Sequence, residues 1–70
     1  MHIAVNKNYL KKYREEKLLS KAELARKAGI SSITIDRIEK FKSCRMDTKR
    51  KIILAMDFKL SEKNKIFPED

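Results

Sequence analysis

An all-α fold, a compact bundle of five short helices, is what this sequence of 70 residues predicts, on three observations. Lys, Glu, Leu and Ile are abundant, while there is one Gly, one Pro and no low-complexity tract, which favours helices over strands or disorder. Capping side chains at Asn6, Ser20, Ser31 and Ser61 each precede a stretch with helical patterning. The length allows one domain, 1–70, and a chain of this size buries only about 60% of its unfolded surface, so the core must be small.

Residues 1–5 form a short apolar N-terminal arm. Asn6 is expected to cap the first helix, with Val5 packing on Leu10 as a hydrophobic staple, and that helix runs to about Lys17. Leu10, Tyr13 and the stem of Arg14 share its inner face, whereas Lys11, Lys12, Glu15 and Glu16 point away. Leu18 and Leu19 connect it to the next element.

Ser20 to Lys40, SKAELARKAGISSITIDRIEK, has the spacing of a helix-turn-helix. Ser20 and Glu23 make a capping box, Leu19 and Leu24 a staple, and Ala22, Ala25 and Ala28 keep the helix slim. Gly29 stands where the chain must turn through a left-handed residue. Ser31 caps the following helix, with Ile30 and Ile35 as its staple and Ile35 and Ile38 pointing inward. Ile33 lies roughly 200° from Ile35 around the helix and must face outward, with Ser32, Asp36, Arg37 and Lys40, and Thr34 near the edge.

Phe41 to Arg45 is a basic loop. A fourth helix from about Met46 to Met56 should turn Met46, Ile52, Ile53 and Met56 inward. A short last helix capped by Ser61 should carry Ile66 and Phe67 as apolar anchors before Pro68 ends it.

Eighteen Lys and Arg against 10 Asp and Glu give a net charge of +8, so the protein should seek polyanions. The excess is uneven: residues 1–30 carry 8 basic and 3 acidic side chains, residues 31–50 carry 6 and 3, and residues 51–70 carry 4 and 4. Segment 58–70, with Phe58, Leu60, Ile66 and Phe67, is therefore the expected protein interface, a homodimer contact. The single Cys44 cannot form an intramolecular disulfide; neighbouring cations act to lower its pKa, but the favoured reading is a plain buried or idle thiol. No apolar run is long enough for a signal segment or a membrane span, which points to a cytoplasmic protein with no membrane partner. His2 stands alone and suggests no metal. Glu15 and Glu16 diverge on a helix, and neither a nucleophile with a base nor a Gly-rich phosphate loop is present. An enzyme and a cofactor are not expected.

The pattern of Leu10, Tyr13 and Arg14, then SKAELARKAGISSITIDRIEK, then Met46, Thr48, Ile52, Ala55 and Met56 resembles the lambda-repressor-like, Cro-type (XRE) helix-turn-helix family over roughly Tyr9 to Leu60. The resemblance implies a DNA-binding regulator that dimerises, and a partly buried ion pair between Arg14 and Glu39. It also shows three departures. Lys21 replaces a common Gln that contacts a phosphate, Phe41 replaces a common Gly after the third helix, and Asp36 puts a negative charge on the implied DNA face.

On this reading the helix over 32–40 enters the major groove of double-stranded operator DNA. Ser32, Ile33 and Arg37 face the bases: Arg37 toward guanine O6 and N7, Ile33 toward a thymine methyl. Lys21, Thr34, Lys40, Lys42, Ser43 and Arg45 hold the phosphate backbone, with Lys49 and Arg50 extending the contact. Asp36 either accepts from a cytosine amino group or pairs with Lys40, the latter being favoured because phosphates repel a free carboxylate. The expected function is a sequence-specific transcriptional repressor. The alternative is an antitoxin-like or adaptor module on the same fold, whose main partner is a protein.

Overall fold

Ser20 and Gly29 bracket a helix with a full capping box at its start and a left-handed residue at its end, and two further helices pack on it. A computed structural model describes residues 7–68. They form α1 (Leu10–Glu16), α2 (Lys21–Ala28), α3 (Ser32–Glu39), α4 (Met46–Ala55), a single 3₁₀ turn (Leu60–Glu62) and α5 (Lys63–Ile66), with no strand among them. The Asn6 cap, the Val5 staple, the 1–5 arm and His2 lie outside the described residues.

Helix α1 starts at Leu10, later than a cap at Asn6 would place it. The side chain that organises this start is Asn8. Its Oδ1 accepts from the Leu10 amide at 3.1 Å, and its Nδ2 donates to the Ile38 carbonyl at 2.8 Å. One buried amide thus serves the first turn of α1 and fastens it to the end of α3. The Tyr9 amide, in turn, donates to the Ile66 carbonyl at 2.8 Å and joins the start of α1 to the end of α5.

Both internal caps form as the sequence indicates. The Glu23 amide donates to Ser20 Oγ, and Glu23 Oε1 accepts from the Ser20 amide at 2.8 Å. That bond holds the Glu23 carboxyl below its ordinary range. The Thr34 amide donates to Ser31 Oγ at 3.2 Å.

All four longer helices end in the same way. Leu18, Gly29, Phe41 and Asp57 have φ of 57°, 72°, 65° and 65°. In each case this residue's amide donates three residues back and the next amide donates five residues back, as in Gly29 to Arg26 and Ile30 to Ala25. This is the Schellman closure, which satisfies two carbonyls that the helix end would leave open. Only one of the four positions is Gly. A side chain in the left-handed region costs about 1–2 kcal/mol, partly offset in a Gly variant by the greater freedom of the unfolded chain. Leu18 is 88% exposed and buries almost nothing in return. Leu18→Gly is therefore expected to stabilise the fold by about 0.5–1 kcal/mol, read as a higher urea midpoint with unchanged slope.

The core comprises Leu10, Leu24, Ala25, Ala28, Ile35, Ile38, Ile52, Ile53, Ala55, Met56, Ile66 and Phe67, with Tyr13, Leu19, Ile30, Cys44 and Phe58 packed around it. Helix α2 packs chiefly on α3 and α4, where buried Ala25 and Ala28 permit close approach. Tyr13 meets Phe58 edge to face, with ring centroids 5.3 Å apart.

Three expectations are corrected here. Met46 is 69% exposed, although it shares the stripe of Ile53; it stands two turns earlier, at the first residue of α4, and lines an open groove with Leu60 and Lys63 where Ile53 forms the buried floor. Ile66 and Phe67 are buried in the core, so the expected dimer surface keeps only Leu60 and half-buried Phe58. Ser61 sits inside the 3₁₀ turn, which begins at Leu60 and is secured by the Lys59 amide donating to Glu62 Oε1 at 2.8 Å.

Candidate nucleic-acid interface

The outward side of α3 is a ridge between two clefts. On one side, Ser20, Lys21 and Ala22 from the start of α2 face Ser32, Ile33 and Asp36, with Arg14 at the base. On the other, Thr34, Arg37 and Ile38 face Ser43, Cys44 and Arg45 of the loop and Thr48 of α4. The helix periodicity that buries Ile35 and Ile38 leaves Ser32, Ile33, Arg37 and Lys40 exposed, with Thr34 and Asp36 half-buried. Ile33, 69% exposed, lies at the crest.

Below the ridge Arg14 and Glu39 form the ion pair that the family resemblance implies. Arg14 Nε donates to Glu39 Oε2 at 2.6 Å and Nη2 to Oε1 at 3.1 Å, while Nη1 donates to the Leu19 carbonyl at 2.9 Å. The side chains are only 9% and 5% exposed. The fork geometry fixes both position and rotation, so α1, the turn at Leu19 and the end of α3 are held as one unit. The bond from Glu39 holds the Arg14 guanidinium above its ordinary pKa, against the opposing effect of burial.

Asp36 does more than pair with Lys40. Its Oδ2 takes Lys40 Nζ at 2.9 Å and its Oδ1 takes Lys21 Nζ at 2.5 Å, so one carboxylate joins the start of α2 to the middle of α3. Sequence spacing shows the first contact, four residues along one helix; the second arises only because the tight turn brings α2 beside α3. The two lysines, Lys21 first, hold the Asp36 carboxyl down to about 2. A depressed carboxyl keeps its contact above its unfolded pKa, near about 3.9, and loses it as the pH falls through the folded value. The Lys21–Asp36–Lys40 link is accordingly intact throughout the neutral range.

Arg37 is different. Its guanidinium makes no hydrogen bond or ion pair among the described residues, and it stands exposed beside the loop cations. Lys42 and Ser43 are exposed in the loop, whose path is set by the Lys42 amide donating to the Arg37 carbonyl at 3.0 Å. Phe41 thus reproduces in a left-handed conformation the turn for which Gly is the easier residue. The Thr34 hydroxyl lies 2.9 Å from Ser31 Oγ and shares a hydrogen bond with it. Of the residues named from sequence, Ser32, Ile33 and Lys21 gather in one cleft and Thr34, Arg37, Ser43 and Arg45 in the other. Asn8 was not among them; an Asn just ahead of a helix start, able to bond two residues on, was its available signal.

No helix among the described residues is long and apolar enough to cross a membrane, and no group of three or more His, Cys, Asp or Glu side chains among them could hold a metal ion. In comparison with curated proteins the chain has no match. Residues 10–43, however, match the family model described as Helix-turn-helix, which spans α1, α2, α3 and most of the loop that follows. What these residues form is a lambda-repressor-like, Cro-type helix-turn-helix domain, the DNA-binding domain of XRE-family regulators.

Proposed function

We propose that this chain is a sequence-specific regulator of the repressor type, acting by occupying an operator in double-stranded DNA. Helix α3 lies in the major groove, Ser32, Ile33 and Arg37 meet base edges, and Lys21, Thr34, Lys40, Lys42, Ser43 and Arg45 hold phosphates on either side. The observation that carries this reading is the uncommitted, exposed Arg37 on a ridge flanked by two clefts, one of which it lines together with Arg45. Asp36 refines it. Because it already engages Lys21 and Lys40, its negative charge offsets part of the attraction those two cations offer a phosphate. That lowers attraction to DNA of any sequence more than attraction to a site where Arg37 finds its guanine.

Selection of bound duplexes from random DNA tests the proposal. The expected result is an enriched motif containing a guanine opposite Arg37. A palindrome with half-sites roughly 34 Å apart would place two chains on one operator. If about six phosphates per chain are neutralised, log affinity should fall against log salt with a slope near about −5. A slope near zero, or no enriched motif, would sink the reading.

A further inference from the structure

Helix α4 has a second face that the cleft beside α3 does not use. Thr48 lines that cleft, and at about 100° per residue Met46 and Arg50 each lie roughly 200° away from it. On this far side Met46, Arg50 and Ile53 of α4, Leu60 of the 3₁₀ turn and Lys63 of α5 surround a groove of about 160 Å³, with Lys49 at its edge. Its apolar part is substantial for so small a protein: Ile53 forms a buried floor, while Met46 is 69% exposed and Leu60 46%. Single exposed apolar residues need no explanation, but two converging on a buried third in a concavity do.

The charge around this groove is one-sided. None of its lining residues among the described residues is acidic. Among the described residues the nearby carboxylates are committed elsewhere, Asp47 to Lys51 at 3.3 Å and Glu62 to Lys65 at 2.9 Å and to the Lys59 amide. Arg50 and Lys63 make no ion pair among the described residues. A second copy of this chain is a poor occupant, because a symmetric contact would bring the same cations face to face. DNA offers phosphates but nothing for Met46 and Leu60 to bury, and α3 lies on the other side of α4.

We propose that this groove docks an acidic segment of a partner protein with an apolar anchor, one Leu-like or Phe-like side chain seated against Met46, Ile53 and Leu60 and flanking carboxylates on Arg50 and Lys63. Arg50, expected from sequence to extend the phosphate contact, lies instead on this far side of α4, so the docking face and α3 are separate, partner and DNA bind together, and the proposal stands or falls apart from the DNA reading.

The test uses fluorescent peptides on the full chain, read by anisotropy: a leucine-bearing peptide flanked by aspartates, the same peptide with serine for leucine, and the same with lysine for aspartate. Burying one leucine contributes about 1.5–3 kcal/mol, so the first should bind at least about 10-fold more tightly than the serine peptide, and the lysine peptide, whose cations meet Arg50 and Lys63, should bind more weakly than the first. Met46→Ser with Leu60→Ser, and separately Arg50→Glu with Lys63→Glu, should each remove that preference, and duplex DNA should leave it intact. Equal binding of the leucine and serine peptides would overturn the proposal, since charge alone would then account for it. Displacement of the peptide by DNA would overturn it too, as would a dimer in sedimentation that Met46→Ser dissociates. The peptide controls act on the unaltered chain, so the outcome does not depend on any variant folding.

Discussion

Arg37→Ala should cost about 1–3 kcal/mol of affinity for the selected operator, roughly 5- to 150-fold, with most of the loss at a single base position. Thermal stability should not change, because the side chain is exposed and bonded to nothing among the described residues. Titration of the operator and of its single-base variants provides the measurement. A uniform loss across all sequences would instead make Arg37 a phosphate contact. Asp36→Asn supplies the contrasting case. With the carboxylate's opposing charge removed, Lys21 and Lys40 attract phosphates more strongly, so affinity for arbitrary DNA should rise and the salt slope should steepen by up to about 1. The operator's advantage over other sequences should shrink. The two substitutions thus weaken specificity from opposite directions, one by removing a base contact and the other by strengthening attraction to any backbone.

The largest effect on stability is expected at the ion pair under α3. Glu39→Gln leaves the Arg14 guanidinium charged and nearly enclosed, while Arg14→Ala leaves the Glu39 carboxylate and the Leu19 carbonyl without their donors. Removing one member of such a pair costs about 3–5 kcal/mol, a large part of the roughly 5–15 kcal/mol that holds a domain folded. Either variant should be mostly or partly unfolded at room temperature, as urea titration followed by circular dichroism would show. Arg14→Met combined with Glu39→Leu should recover most of the loss, because attraction within a buried pair is largely offset by the desolvation of both charges. A single-variant cost below about 1 kcal/mol would place the pair with ordinary surface contacts. If the double variant folds but binds its operator less tightly, orientation of α3 is the pair's main contribution.

How far the sequence could be read depends on the range of each interaction. The capping box at Ser20 and Glu23, the Ser31 cap and the left-handed Gly29 are settled within five residues, and each was legible. So was the outward position of Ile33, which follows from helix geometry once Ile35 and Ile38 are inward. Met46 shows the opposite case: periodicity places it on the correct stripe of α4 but says nothing of where the covering segment ends. Ile66 and Phe67 were equally ambiguous, since an apolar residue near a terminus can face a partner or its own core.

The candidate site divides along the same line. Its roll of residues came from pattern, whereas their state of engagement came from packing. The Asp36–Lys40 pair was legible, being four residues along one helix, whereas Lys21 looks like Arg37 in sequence and is tied to Asp36 only by the packing of α2 on α3. The sequence by itself determined the all-α class, the helix-turn-helix and the face of α3 that looks outward, because caps, turns and helical period are local. Only the tertiary structure decided that Asn8 ties α1 to α3, that Asp36 holds a lysine from α2, and that the terminal aromatic closes the core. Those contacts join residues far apart along the chain, and their energies depend on distances and solvent exclusion that exist only once the helices have packed.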